Sequence, residues 1–148
     1  MVEIRSCHAE DFDDVVKLLH QLWPDKEIDL PSLKIVFDRG LASESQKYIC
    51  AVEEGKVIGF GSLTIKNNLW QEGYICHVDE LVVDDVYRQK GTGTKILQRL
   101  IDAAGEKNCR RIELDSAFHR REAHKFYEKL GFENRAFLFS KVLQPGPQ

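Results

Sequence analysis

One junction constrains this chain more than any other feature. The apolar run Leu81-Val82-Val83 is followed, after two aspartates, by the stretch VYRQKGTGTK (Val86 to Lys95). A continuous apolar run suits a strand buried on both faces, in the middle of a sheet. Beyond the glycines, Ile96, Leu97, Leu100, Ile101 and Ala104 recur at helical spacing and predict a helix reaching about Lys107. Central strand, glycine turn and amphipathic helix, in that order, imply an α/β domain.

The flanking segments extend this pattern. Val2 to Arg5 reads as a short strand. Ala9 to Trp23 reads as a helix stopped by Pro24, and Leu30 to Leu41 as a second helix with Pro31 in its first turn. Lys47 to Glu53 and Lys56 to Lys66 read as strands joined in a hairpin at Glu54-Gly55, and Tyr74 to Val83 as a third long strand. After the central helix come a short strand (Arg111 to Asp115), a helix (Glu122 to Leu130) capped by Gly131, and a closing strand, Ala136 to Leu143. The whole reads as one domain over 1–143 with a tail at 144–148, a length that supports a single core.

Composition narrows the function classes. The net charge of −3 gives no general reason to expect nucleic acid or a membrane surface as partner. No apolar run approaches the ~18 residues of a membrane span, and the acidic N-terminus lacks the apolar core of a signal peptide. Cys7, Cys50, Cys76 and Cys109 are scattered, without CxxC spacing, so reduced cysteines in a cytoplasmic protein are expected ahead of disulfides or zinc. His119 and His124 fall on different helix faces, so no metal pair is expected.

Against this acidic background, Val86 to Ile101 contains no Asp or Glu but holds Arg88, Lys90, Lys95 and Arg99. Its spacing excludes two familiar phosphate motifs. In a Walker loop lysine directly follows the last glycine, and here Thr94 intervenes; in a dinucleotide fingerprint a glycine would stand at Ile96. The physical case for phosphate survives. Glycines let the backbone approach closely, and the first amides of a helix point outward at the positive end of its dipole.

Arg88-Gln89-Lys90-Gly91-Thr92-Gly93 resembles the [QR]-x-x-G-x-[GA] loop of the GNAT superfamily of N-acetyltransferases. Downstream, Ala123-His-Lys-Phe126-Tyr127-Glu-Lys-Leu130-Gly131-Phe132 is similar to the same family's FYEKLGF helix. HVDELVV, ELDSAFHRREAHKFYEKLGFE and FLFSKVL resemble small bacterial members, such as aminoalkylphosphonate N-acetyltransferases. HVDE is also similar to the HIED segment of glucosamine-phosphate N-acetyltransferases. The resemblance implies an α/β GNAT fold: a mixed, mostly antiparallel central sheet flanked by about four helices. It implies acetyl-CoA as cosubstrate, with Arg88, Gln89, Lys90, Gly91, Thr92, Gly93 and Thr94 at its pyrophosphate. Leu81, Val82 and Val83 would lend backbone groups to thioester and pantetheine, an N–H of Leu81 or Val82 meeting the oxyanion. One departure is Arg120, where many members carry Asn seven residues before the helix tyrosine.

Acetyl transfer to an amine must remove a proton, stabilise an oxyanion and protonate a thiolate. Tyr127, on the stripe Ala123, Phe126, Tyr127, Leu130 facing the sheet, is the candidate for the last step; the family's matching tyrosine lies near the CoA sulfur. His77, Asp79 and Glu80 are polar residues ahead of an apolar run. Strand alternation places His77 and Asp79 on one face and Glu80 on the other unless a bulge re-aims one. His77 and Glu80 are equal candidates for the base, with Asp79 behind. The implied activity is direct attack by a primary amine, of a small molecule in preference to a protein or peptide, and the long terminal strand could support a homodimer. Two alternatives stand beside it: a GNAT module that binds CoA without catalysis, and a nucleotide-binding protein.

Overall fold

The hairpin at Glu54-Gly55 forms because both residues take left-handed backbone, φ 50° and 76°, as a two-residue turn between twisted strands requires. It joins β2 (Gln46–Glu53) to β3 (Lys56–Asn68), and β3 pairs in turn with β4 (Gly73–Val83). The computed structural model describes residues 1–144. With β1 (Glu3–Ser6) and β5 (Arg111–Leu114) the sheet has, among the described residues, five strands in the order β1-β2-β3-β4-β5. The first three pairings are antiparallel. The crossover helix between β4 and β5 makes that last pair parallel, which gives the mixed, mostly antiparallel sheet.

Helices α1 (Phe12–Leu22) and α2 (Leu30–Ala42) cover one face. Val15, Leu18, Leu19 and Phe37 pack there against Cys50, Phe60 and Val82. Asp29 caps α2, its carboxylate accepting from the Ser32 N–H at 3.3 Å. The other face belongs to α3 (Thr92–Glu106), whose Ile96, Leu97 and Leu100 are fully buried. Gly59 and Gly61 permit its close approach: a Cβ on either would stand 2.7 or 2.6 Å from a carbon of Ile96. That approach fixes where the N-terminus of α3 meets the end of β4.

The chain forms two compact units, one through Glu113 and one from Leu114 onward. The second contains α4 (Arg121–Lys129). Gly131, at φ 94°, ends this helix: its N–H reaches the Glu128 carbonyl and that of Phe132 the Tyr127 carbonyl, each at 3.0 Å. Among the described residues no helix is long and apolar enough to cross a membrane.

Two expectations are corrected. Ala136 to Leu143 is not a strand; it makes no ladder, and Phe137, Leu138, Phe139, Val142 and Leu143 are exposed. Apolar content gives a segment strand propensity but does not supply the partner strand. Cys7 and Cys50 are joined in a disulfide rather than reduced, while Cys76 and Cys109 remain thiols. The pairing follows from β1–β2 register, which sets Arg5 opposite Cys50 and so brings Cys7 beside it. Of the expected tail, 145–148 lie outside the described residues.

Candidate active site

The alternation expected in β4 is broken where it matters. Ser62 pairs with Glu80 but Leu63 pairs with Val78, so Asp79 is an extra residue: a β-bulge. The bulge turns His77, Asp79 and Glu80 to a single face. Ser62 and Thr64, two apart on β3, share that face and bind them. The Ser62 hydroxyl donates to the Glu80 carboxylate and accepts the Glu80 N–H at 3.1 Å. Thr64 Oγ1 donates to Asp79 Oδ2 at 2.6 Å, and His77 Nδ1 lies 2.8 Å from Asp79 Oδ1. His77 and Glu80 are half-buried and Asp79 is exposed.

Sequence reasoning missed Ser62, Thr64 and Tyr48. Ser62 is 1 % exposed, a hydroxyl within the otherwise apolar buried stretch Val57 to Leu63 of β3, and it persists because donor and acceptor are both satisfied. The signal was a pair of hydroxyl residues at strand spacing within VIGFGSLTI. Tyr48 pairs with Ser62 on β2, so Tyr48, Ser62 and Glu80 form a row across three strands. Its ring stacks on Phe37 at 5.4 Å and meets Phe60 edge-on at 5.6 Å. Burial raises its hydroxyl pKa, and the charges of Glu80 and Asp79 raise it further. Tyr48 therefore stays a neutral phenol beside the two carboxylates.

The glycine loop leaves β4 through a short turn at Asp85–Tyr87. Gln89 and Gly91 are both left-handed, φ 64° and 84°, and Gly91 is the N-cap of α3. Arg88 folds back, donating from Nε to the Val83 carbonyl at 3.0 Å and pairing with Asp85 at 2.8 Å. Its guanidinium thus braces the loop. Lys90 stands 5.7 Å from the Tyr87 ring centroid. The first turn of α3 holds no acid, and its leading amides lack intrahelical partners. This donor set fits a pyrophosphate.

Strand β5 is four residues long against eleven in β4. It enters beside Tyr74, whose carbonyl accepts the Arg110 N–H at 2.8 Å. At equal rise per residue, β5 ends before β4 reaches Leu81. The backbone of Leu81, Val82 and Val83 therefore runs on past the end of β5, where the Val83 carbonyl takes the Arg88 hydrogen bond.

Tyr127 belongs to the second unit. Ala123, Phe126 and Tyr127 are half-buried, and Leu130 is exposed, so the expected stripe is only partly covered. The Tyr127 ring packs against Phe126 at 5.3 Å and Phe132 at 5.8 Å. Burial raises its pKa, with Arg120 acting in the opposite direction. A tyrosine kept protonated in this way can donate. Burial pushes the Cys76 thiol up to about 12, which leaves almost no thiolate for a covalent relay near neutrality. Donor atoms of Cys7, Asp11 and Cys50 lie within 4.8 Å of one another. The sulfurs are bonded to each other, however, and Asp11 accepts two bonds from Arg5, at 2.8 and 3.0 Å, and one from the His8 N–H at 2.7 Å.

A mixed sheet whose fourth strand feeds a cationic glycine loop, with acid–base groups clustered upstream, defines an acyl-transfer scaffold. Residues 8–132 match the Acetyltransferase (GNAT) family, and the chain belongs to it. The aminoalkylphosphonate N-acetyltransferase of Salmonella typhimurium is 30% identical over 141 residues, spanning 95% of this chain and 91% of the relative. The glucosamine 6-phosphate N-acetyltransferase of Trypanosoma brucei brucei is 29% identical over 133 residues, covering 88% of each. The crystal structure of glucosamine-6-phosphate N-acetyltransferase from Arabidopsis thaliana superimposes with a TM-score of 0.82 at 26% identity, over 97% of this chain and 99% of that one.

Proposed function

We propose that this protein transfers the acetyl group of acetyl-CoA to the primary amine of a small molecule, by direct attack, with residues 1–143 acting as one catalytic domain. The observation that carries the reading is the bulge at Asp79, which gathers His77, Asp79 and Glu80 on one face immediately before Leu81. An imidazole and two carboxylates suit both halves of the task. Negative charge attracts an ammonium, and a basic group at ordinary pH takes its proton. Two of the curated relatives are named for aminoalkylphosphonates and for glucosamine 6-phosphate. Both are small amines carrying a phosphorus oxyanion, so an amine of that kind is the first acceptor to test.

In this reading His77 and Glu80 serve deprotonation. Backbone N–H groups of Leu81 or Val82 meet the oxyanion, and Tyr127 donates to the departing thiolate. The C–N bond forms with the nitrogen lone pair, and the C–S bond breaks with its pair on sulfur. Of the two protons the nitrogen loses, one passes to the base and on to water. The other replaces the proton given up by Tyr127. The amides from Arg88 to Thr94 hold the donor's pyrophosphate.

The test is thiol release from acetyl-CoA over aminomethylphosphonate, aminoethylphosphonate, glucosamine 6-phosphate, glucosamine and spermidine. The expected result is turnover with at least one of these, greatest for the amines bearing phosphonate or phosphate. Stabilisation by acetyl-CoA without thiol release for any amine would instead mark a binding module.

A further inference from the structure

Resting on this acetyltransferase reading, we infer that Thr64 is a positioning residue of the reaction: it fixes Asp79, and Asp79 sets the tautomer in which His77 Nε2 takes the proton of the amine. Asp79 is the bulge residue and has no register partner on β3. A residue in that position is left out of the ladder, and its side chain needs another constraint if it is to point one way. Thr64, opposite His77 in register, supplies one by donating its single hydroxyl hydrogen to Asp79 Oδ2 at 2.6 Å. The other carboxylate oxygen lies 2.8 Å from His77 Nδ1. A carboxylate oxygen can only accept, so the hydrogen between them sits on Nδ1, and in the neutral imidazole the basic lone pair of the ring sits on Nε2.

Glu80 is held by a separate device. The hydrogen of Ser62 goes to its carboxylate, and the Ser62 oxygen accepts the N–H of Glu80 itself. Two hydroxyls at strand spacing on β3 therefore serve two carboxylates with different duties. Asp79 orients an imidazole, and Glu80 presents charge to the incoming ammonium. The proton moves from the ammonium nitrogen to Nε2. The nitrogen keeps the electron pair that forms the C–N bond, and the Asp79 carboxylate stabilises the imidazolium until its proton passes to water. Because Thr64 touches neither amine nor thioester in this scheme, its role is one of positioning.

Two measurements on the full chain test this. Nitrogen-15 NMR of labelled histidine, with the His77 signals assigned by His77→Gln, reads the tautomer without substrate. Steady-state kinetics with aminoethylphosphonate or glucosamine 6-phosphate, whichever the wild type turns over faster, reads the reaction. Wild-type His77 should show the Nδ1–H tautomer. Thr64→Val, similar in shape at a half-buried site, should mix the tautomers and lower kcat roughly tenfold at unchanged KM for acetyl-CoA. Thr64→Ser should restore both. A wild-type Nε2–H tautomer, or a Thr64→Val protein with wild-type kcat and tautomer, overturns the inference. If Thr64→Val does not fold, the wild-type tautomer and Thr64→Ser decide. Absence of thiol release by the wild type would overturn the acetyltransferase reading, and this inference with it. That failure is distinguishable because the tautomer is read independently.

Discussion

Gly91 shows how one backbone angle can carry a binding function. Its φ is 84°, and a Cβ placed there would meet nothing within 4 Å. A side chain is therefore disfavoured there by backbone conformation rather than by crowding. Gly91→Val should distort the loop, raising the Kd for CoA roughly tenfold or more, as a strained β-branched residue would. Calorimetric titration should find this with the thermal midpoint lowered by only a few degrees; an unchanged Kd would remove the loop from the donor site. Tyr127 makes the complementary case. Its raised pKa keeps the hydroxyl protonated through neutral and mildly alkaline solution. Tyr127→Phe should lower kcat roughly ten- to hundredfold while leaving the Kd for CoA in place. A matched loss in both would assign the ring to packing.

Among elements, β1 and the entrance to α1 are tied by the Arg5–Asp11 pair, in which Asp11 is only 7 % exposed. The Arg5 hydrogen bond holds the Asp11 carboxyl below its usual range against the opposing effect of burial. A folded-state pKa below the unfolded one contributes stability that is present above the unfolded value and lost as pH falls through the folded one. Asp11→Asn should therefore cost about 3 kcal/mol near neutral pH and progressively less as pH falls below about 4. Urea midpoints from neutral pH down to acid check this, and a cost independent of pH would contradict it. Element order was legible in the sequence because periodicity and punctuation agreed: Pro24 and Pro31 around the first two helices, Glu54-Gly55 at the hairpin, Gly131 after α4. The bulge was not legible. It adds a residue to β4 without a glycine or proline to mark it, and its cause lies in the β3 register and the hydroxyls of Ser62 and Thr64.

At the scale of the whole molecule, what the sequence hid was pairing between distant segments. Cys7 and Cys50 stand 43 residues apart, and only strand register brings them together. Phe137 to Leu143 has the composition of a strand but no ladder, because propensity is local and pairing is not. The glycine loop and the FYEKLGF helix were readable because each is a continuous motif. The acid–base cluster was readable only as residue types, His77, Asp79 and Glu80, until the bulge placed them on one face. In the proposed reaction this cluster deprotonates the acceptor amine. The most direct measurement is kcat for acetyl transfer by His77→Gln and Glu80→Gln, beside the Kd for CoA of each variant. His77→Gln should lower kcat roughly a hundredfold or more, Glu80→Gln should lower kcat/KM for the amine, and both should bind CoA as the wild type does. Wild-type turnover in both variants would contradict it.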